Sequence, residues 1–199
     1  MRTLFFTVCS LRQYPQALVL GHSLQQHHPD CVFSIGLADQ PERLPVVAPR
    51  PFPVVGTQPL TIVDFQKFIE KYTWLEVLHA LRPHFARYFF DRYPSANNLV
   101  FLSPESWVLS PLTGLLECLT EHPIALLPQR LHPSHDGHWP AERHFLNVGV
   151  YQGEAWAVRR SAETARFLDW WSVRLREKGW LRLCEGYGLD QLWLNLVPA

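Results

Sequence analysis

Residues 4–8 form a short apolar run interrupted only by Thr7, the mark of a strand buried on both faces. Pro15 suits a first helical turn, and Ala17, Leu20, Gly21 and Leu24 then recur at helical spacing. Pro29-Asp30 stops that helix. A second apolar run covers residues 32–37 and leads to Asp39. Strand, helix and strand in such quick succession predict a βαβ unit and so a parallel sheet. Residues 41–59 are rich in proline and lack periodicity, which predicts a surface connection. Residues 64–72 read as a short amphipathic helix. Thr73 and Glu76 have the Thr-x-x-Glu spacing of a capping box and open another helix. Pro83 is expected to break or kink it, with residues 85–93 continuing.

Further along, residues 99–102 predict a buried strand, a helix follows Pro111, and residues 124–127 predict one more strand. Residues 128–143 form a polar segment rich in His and Pro. Two short apolar runs within residues 147–158 are split by Gln152-Gly153-Glu154. Ser161 caps a helix whose apolar side carries Leu168, Trp171 and Leu175, and Lys178-Gly179 ends it. The segment 187–197 is apolar around an embedded Asp190-Gln191. No internal repeat or domain boundary interrupts the chain.

With 199 residues, the sequence fits a single α/β domain over residues 1–199. Apolar residues make up 47% and charged residues 18%, and the net charge is zero. Nothing in that balance suggests a nucleic-acid footprint, which needs a Lys/Arg excess on one face. Cys9, Cys31, Cys118 and Cys184 form no CxxC pair, so they read as reduced thiols of a cytoplasmic protein. Arg2, the run 4–8 and Cys9 look superficially like a lipoprotein signal. The run is too short and Val8 too large for one, and a strand explains it better. No apolar stretch is long enough to span a bilayer.

In open α/β sheets, ligands bind beyond the carboxyl ends of the strands. That rule points to Cys9-Ser10, Asp39, Ser103-Pro104-Glu105 and the Asn147 region. Residues 9–15 contain no glycine, which disfavours a dinucleotide-binding Rossmann turn.

These residues carry a resemblance. Thr7-Val8-Cys9-Ser10, Ala17-Leu18-Val19-Leu20 and His28-Pro29-Asp30 look like the opening of bacterial GT-A-fold nucleotide-sugar glycosyltransferases related to family 8. Ala80-Leu81-Arg82-Pro83 is similar to their Ala-Val-Lys-Pro segment. Val100-Phe101-Leu102-Ser103-Pro104-Glu105 aligns with their Ile-Tyr-Leu-Asp-Pro-Asp. The runs from Phe145 to Tyr151, from Phe167 to Trp171 and from Asp190 to Pro198 also match, in order, along nearly the whole chain.

The resemblance implies a GT-A-like, mostly parallel mixed sheet flanked by helices. It also implies transfer of a sugar from a nucleotide-sugar, a UDP-sugar by preference, to a glycan, lipid or protein hydroxyl. A retaining outcome follows only by analogy. Thr7, Cys9, Ser10 and Asp39 would hold the nucleoside, although Asp39 also suits a simple strand-end cap. Arg82 would stand near the phosphates, where a guanidinium fork can grip a diphosphate. Asn147 and Gly149 would contact the sugar. Asp190, with Gln191, would face the acceptor side as the candidate base, although it equally suits the cap of a helix starting at Gln191.

Several departures qualify this picture. The Asp-x-Asp that holds Mn²⁺ or Mg²⁺ against the leaving diphosphate is here Ser103 and Glu105, so metal binding through Glu105 is expected to be weakened. Where a family glycine approaches the sugar, Glu154 stands, with Gly153 one place early. The family continues beyond the point where this chain stops at Ala199. Either part of the site is missing, or another subunit, as in a homo-oligomer, or another polypeptide supplies it.

His132, His135 and His138 recur every third residue, with Asp136 between and His144 beyond. Metal ligation is one reading and a loop over the acceptor the other. Trp107 and Trp139 could stack a ring, while the remaining tryptophans read as core. The rival to an active transferase is a catalytically inactive nucleotide- or glycan-binding remnant that scaffolds a partner.

Overall fold

The structure is a computed structural model that describes residues 2–132 and 142–197. The first strand, β1 (Thr3–Cys9), is followed by α1 (Tyr14–His27) and β2 (Val32–Leu37). β1 and β2 pair in parallel from Leu4↔Val32 to Cys9↔Leu37, as the early βαβ pattern requires. The Pro-rich connection carries one short strand, β3 (Val54–Val55), which pairs in parallel with Ile35 and Gly36. This stretch is not wholly superficial. Leu44 and Phe52 are buried, and Phe52 packs edge-on against Phe33.

Two helices follow, α2 (Phe65–Glu70) and α3 (Trp74–Arg92). Both halves of the Thr73–Glu76 capping box form at the start of α3. Pro83 lies inside α3 and does not end it. An internal proline costs roughly 3 kcal/mol. The burial of Leu81, Phe85, Ala86 and Phe89 against the sheet outweighs that cost.

The chain continues through β4 (Asn98–Leu102), α4 (Thr113–Glu121), β5 (Ile124–Pro128), α5 (Glu142–Val148), β6 (Tyr151–Arg159) and α6 (Ala162–Lys178). A two-residue ribbon, β7 (Leu181–Arg182) with β8 (Tyr187–Gly188), leads to a 3₁₀ turn over Leu192–Leu196. The main sheet has the order β3-β2-β1-β4-β6-β5. β4 runs parallel to β1, and β6 runs antiparallel to both β4 and β5.

Within residues 147–158 the chain passes from a helix into one strand, whose register against β5 shifts between Tyr151 and Trp156. Asn147 belongs to α5, and Gln152-Gly153-Glu154 lie inside β6. Gly149, at φ +104°, turns the chain from α5 towards β6 in a conformation that L side chains rarely adopt.

Alternation along β1 divides the core. Leu4, Phe6 and Val8 face α3 and α6 with Phe89, Phe101, Trp156 and Trp171. Phe5 and Cys9 face α1 and α4 with Leu20, Leu24, Val100 and Leu119. A sheet covered on both faces explains why these strands are apolar at adjacent positions rather than alternating. It also leaves the carboxyl ends of β1, β2 and β4 as the exposed rim where a site can form. No helix among the described residues is long and apolar enough to cross a membrane.

Candidate functional site

At the end of β1, Ser10 and Gln13 form a capping box that starts a short 3₁₀ turn. Asp39, just beyond β2, accepts a 2.7 Å hydrogen bond from the Leu11 N–H and lies 3.9 Å from Arg43. Asp39 therefore ties the first two strand ends together and stays partly open to solvent. Thr7 and Cys9 are enclosed in the core, so any ligand contact from this segment would come from its backbone or from Ser10. The Cys9 thiol is pushed up to about 12, by burial first and by the Asp39 charge second.

Beyond β4, Ser103 is buried and its N–H donates to the Glu154 carbonyl at 2.8 Å. Glu105 is exposed and accepts from Gln13 Nε2 at 3.4 Å. A cleft of about 430 Å³ opens beside it, lined by Arg12, Gln16, Val19, Pro104, Glu105 and Trp107. The Trp107 ring is 67% exposed and available to stack on a ligand.

The centre of the rim is a buried ion network. Arg82, on α3, places Nη1 2.7 Å from Asp190 Oδ2 and 2.9 Å from the Gly153 carbonyl oxygen. Its Nη2 donates to Glu154 Oε1 at 3.1 Å. The other Asp190 oxygen lies 2.7 Å from His79 Nδ1. Asp190 is fully buried, and burial alone would raise its carboxyl. Arg82 and His79 outweigh that and hold it below the usual carboxylate range, so Nδ1–H of His79 is the donor. Glu154 is likewise held low by Arg82 and the Ser103 hydroxyl against the opposing effect of burial. The Arg82 guanidinium loses hydration, but its carboxylate partners keep it charged.

Several elements hold this network in place. The guanidinium stacks 4.8 Å above the Phe101 ring. Trp171 Nε1 donates to the Asp190 carbonyl at 3.2 Å. Leu189, at φ +54°, carries backbone strain of about 1–2 kcal/mol just before Asp190. Gln191 receives the Gly153 N–H at 3.2 Å and donates to the Val148 carbonyl at 2.7 Å. Asn195 accepts from the Val150 N–H at 2.9 Å. Gly153 leaves room for the ion pair. A Cβ there would lie 3.1 Å from Asp190 Oδ1 and 3.3 Å from Arg82 Nη1. Its bare backbone serves the ion pair.

Thus Arg82, Ser103, Asp190 and Gln191 come together with Glu154 around one centre, Gly149 is enclosed close to Asn195, and Ser10, Asp39 and Glu105 lie along the neighbouring strand ends. Asn147 is exposed on α5. His135, Asp136, His138 and Trp139 lie outside the described residues. Sequence reasoning missed His79, although it sits three residues before Arg82, on the same helical face.

The sequence matches no protein-family model and no curated protein. Solved structures do match. The apo form of the glycosyltransferase GlyE from Streptococcus pneumoniae TIGR4 superposes with a TM-score of 0.57 at 14% identity, over 99% of this chain and 43% of that one. The galactosyltransferase LgtC, solved with donor and acceptor sugar analogues, gives 0.56 at 13% identity, over 96% of this chain and 69% of that one. A glycosyltransferase involved in glycosylation of the PBCV-1 major capsid gives 0.55 at 9% identity, over 100% and 77%. The fold is that of the GT-A glycosyltransferases. The chain spans about two fifths of the length of GlyE.

GT-A glycosyltransferases commonly use divalent metals. A cradle for such an ion needs converging oxygen ligands, usually with more than one carboxylate. Here the buried Ser103 hydroxyl is turned to Glu154, and Glu105 lies exposed beside Gln13. Among the described residues, no group of three or more His, Cys, Asp and Glu side chains is placed to hold a metal ion. The residues present therefore do not fit a two-carboxylate metal site, and the cation at the centre of this GT-A rim is the Arg82 guanidinium.

Proposed function

We propose that the protein transfers a sugar from a nucleotide-sugar donor, a UDP-sugar by preference, to a hydroxyl of a glycan, lipid or protein. The observation that carries this reading is the position of Arg82. A buried, carboxylate-oriented guanidinium stands at the carboxyl-end rim of a GT-A sheet. A diphosphate leaving group gains negative charge as the sugar departs, and a preorganised guanidinium stabilises it without rearranging. In this reading Ser10 and Asp39 hold the nucleoside, Asn147 and Gly149 border the sugar, and Gln191 sets the geometry around Gly153. Asp190 is the acceptor-side carboxylate. To take a proton from an acceptor hydroxyl, it has to be released on one oxygen by His79 or Arg82. Glu105 is the carboxylate open to any metal that accompanies the donor. The protein is read as cytoplasmic, with no nucleic-acid partner.

Calorimetric titration with UDP, UDP-glucose and GDP-mannose, each with and without Mn²⁺, tests the donor site. Saturable binding of at least one is expected. Absence of heat and of a thermal shift with all of them would remove the reading.

A second reading is a binding module that has lost transfer. It is favoured by the enclosure of Asp190, both of whose carboxylate oxygens are already engaged. It predicts binding without turnover. Hydrolysis or transfer of a nucleotide-sugar by the purified protein, lost in Glu105→Ala, would exclude it.

A further inference from the structure

The ion network is unevenly built. Arg82 is 5% exposed, and its Nη1 is engaged inward by Asp190 and the Gly153 carbonyl. Its Nη2 meets Glu154 through a single contact of 3.1 Å, longer than the 2.7 Å bond to Asp190. Asp190 is 0% exposed and His79 13%, whereas the Glu154 side chain is 45% exposed. Glu154 is therefore the member of the network that faces solvent, and it covers the outward donor of the guanidinium.

Its anchoring differs from that of Asp190. The register Leu102↔Ala155 sets Ser103 opposite Glu154, and the Ser103 N–H fixes the Glu154 carbonyl at 2.8 Å. The backbone is fixed, while the half-exposed side chain has only Arg82 Nη2 and the Ser103 hydroxyl to give up in order to rotate away into water. Asp190 has no such freedom, because His79 and Arg82 hold one oxygen each. Charge points the same way. One carboxylate neutralises Arg82, and Asp190 already does so. Glu154 is surplus for neutrality and well placed for exchange.

We propose that the Glu154 carboxylate is an internal occupant of an anion site on Arg82, displaced when a diphosphate group binds there. The proposal rests on the reading of Arg82 as a phosphate ligand and identifies the residue that sets its affinity. Glu154 acts as a built-in competitor: it keeps the guanidinium ordered when the rim is empty and lowers affinity for any anion that must replace it. A neutral residue of the same shape removes the competition and leaves the Arg82–Asp190 pair in place.

The test is calorimetric titration of inorganic pyrophosphate, with chelator present, into wild type and Glu154→Gln, each shown to be folded by its thermal melt. Glu154→Gln is expected to bind about tenfold more tightly, the equivalent of one exchanged charged hydrogen bond. Rising salt should reduce the gain. Equal or weaker binding by Glu154→Gln, or no binding by either protein, overturns the proposal. If Glu154→Gln fails to fold, Glu154→Ala carries the same comparison. UDP separates the two readings. Tighter pyrophosphate binding by the variant with no UDP binding by either protein keeps the role of Glu154 and removes the nucleotide reading. UDP bound with equal affinity by both proteins keeps the nucleotide reading and removes the role of Glu154.

Discussion

Replacing Asp190 by alanine strands a guanidinium that is 5% exposed and deprives His79 Nδ1 of its acceptor. Removing one partner of a buried ion pair costs about 3–5 kcal/mol, because the other charge stays desolvated. Glu154 still meets Nη2, which places the expected loss near the lower end, about 3 kcal/mol. With a urea slope of roughly 2 kcal/mol/M, the unfolding midpoint should fall by about 1.5 M at unchanged slope. Asp190→Asn should lose less, since its amide oxygen can still accept from Arg82 while His79 changes tautomer. Asp169→Ala is the control. Its pair with Arg87 is 47% and 56% exposed and should be worth less than about 1 kcal/mol. Acid gives an independent check. The Asp190 carboxyl titrates below its ordinary 3.8, so its contribution is complete above that value and is lost as pH falls through the lowered one. The gap between wild type and Asp190→Ala should therefore close in strong acid. A midpoint shift below about 0.5 M near neutral pH would refute the claim that this network anchors the rim.

Gly153→Ala introduces a Cβ 3.1 Å from Asp190 Oδ1 and 3.3 Å from Arg82 Nη1, and should cost about 1–3 kcal/mol in a thermal melt. His84, in a cleft between α3 and α6, is pushed down to about 4 by burial and then by Arg176 and Arg87. The unfolded chain takes up this proton first, so stability should fall as pH drops from 6.5 towards 4, and His84→Gln should flatten that part of the urea-midpoint profile. At neutral pH a thiol reagent should label the exposed Cys118 and Cys184 and spare Cys9 until urea unfolds the chain, because the Cys9 thiol is buried and raised to about 12.

Much of the fold could be read locally. The apolar run at residues 4–8, the periodicity around Leu20, the Thr73–Glu76 box and the Ser161 cap each report interactions among residues a few positions apart. Where reading failed, packing overrode a local signal. Pro83 was expected to break or kink its helix, but burial carries α3 past it without a break. Gln152-Gly153-Glu154 split two apolar runs, yet they lie within one strand, β6, where its register against β5 shifts between Trp156 and Tyr151.

The candidate site divides along the same line. The sequence alone determined that Ser103-Pro104-Glu105 follows a buried strand, that Asp39 ends another, and that Arg82 and Asp190 lie in segments resembling a donor site. It could not determine that Asp190 and Arg82 meet, because 108 positions separate them. Nor could it show that Glu154 lies across from Ser103, a consequence of strand register. Local chemistry is written in spacing and side-chain type. Which charges share a low-dielectric interior depends on how the sheet and helices close around them. Only the tertiary structure turns Asp190 into the enclosed anchor of Arg82 and leaves Glu154 as the carboxylate at its open side.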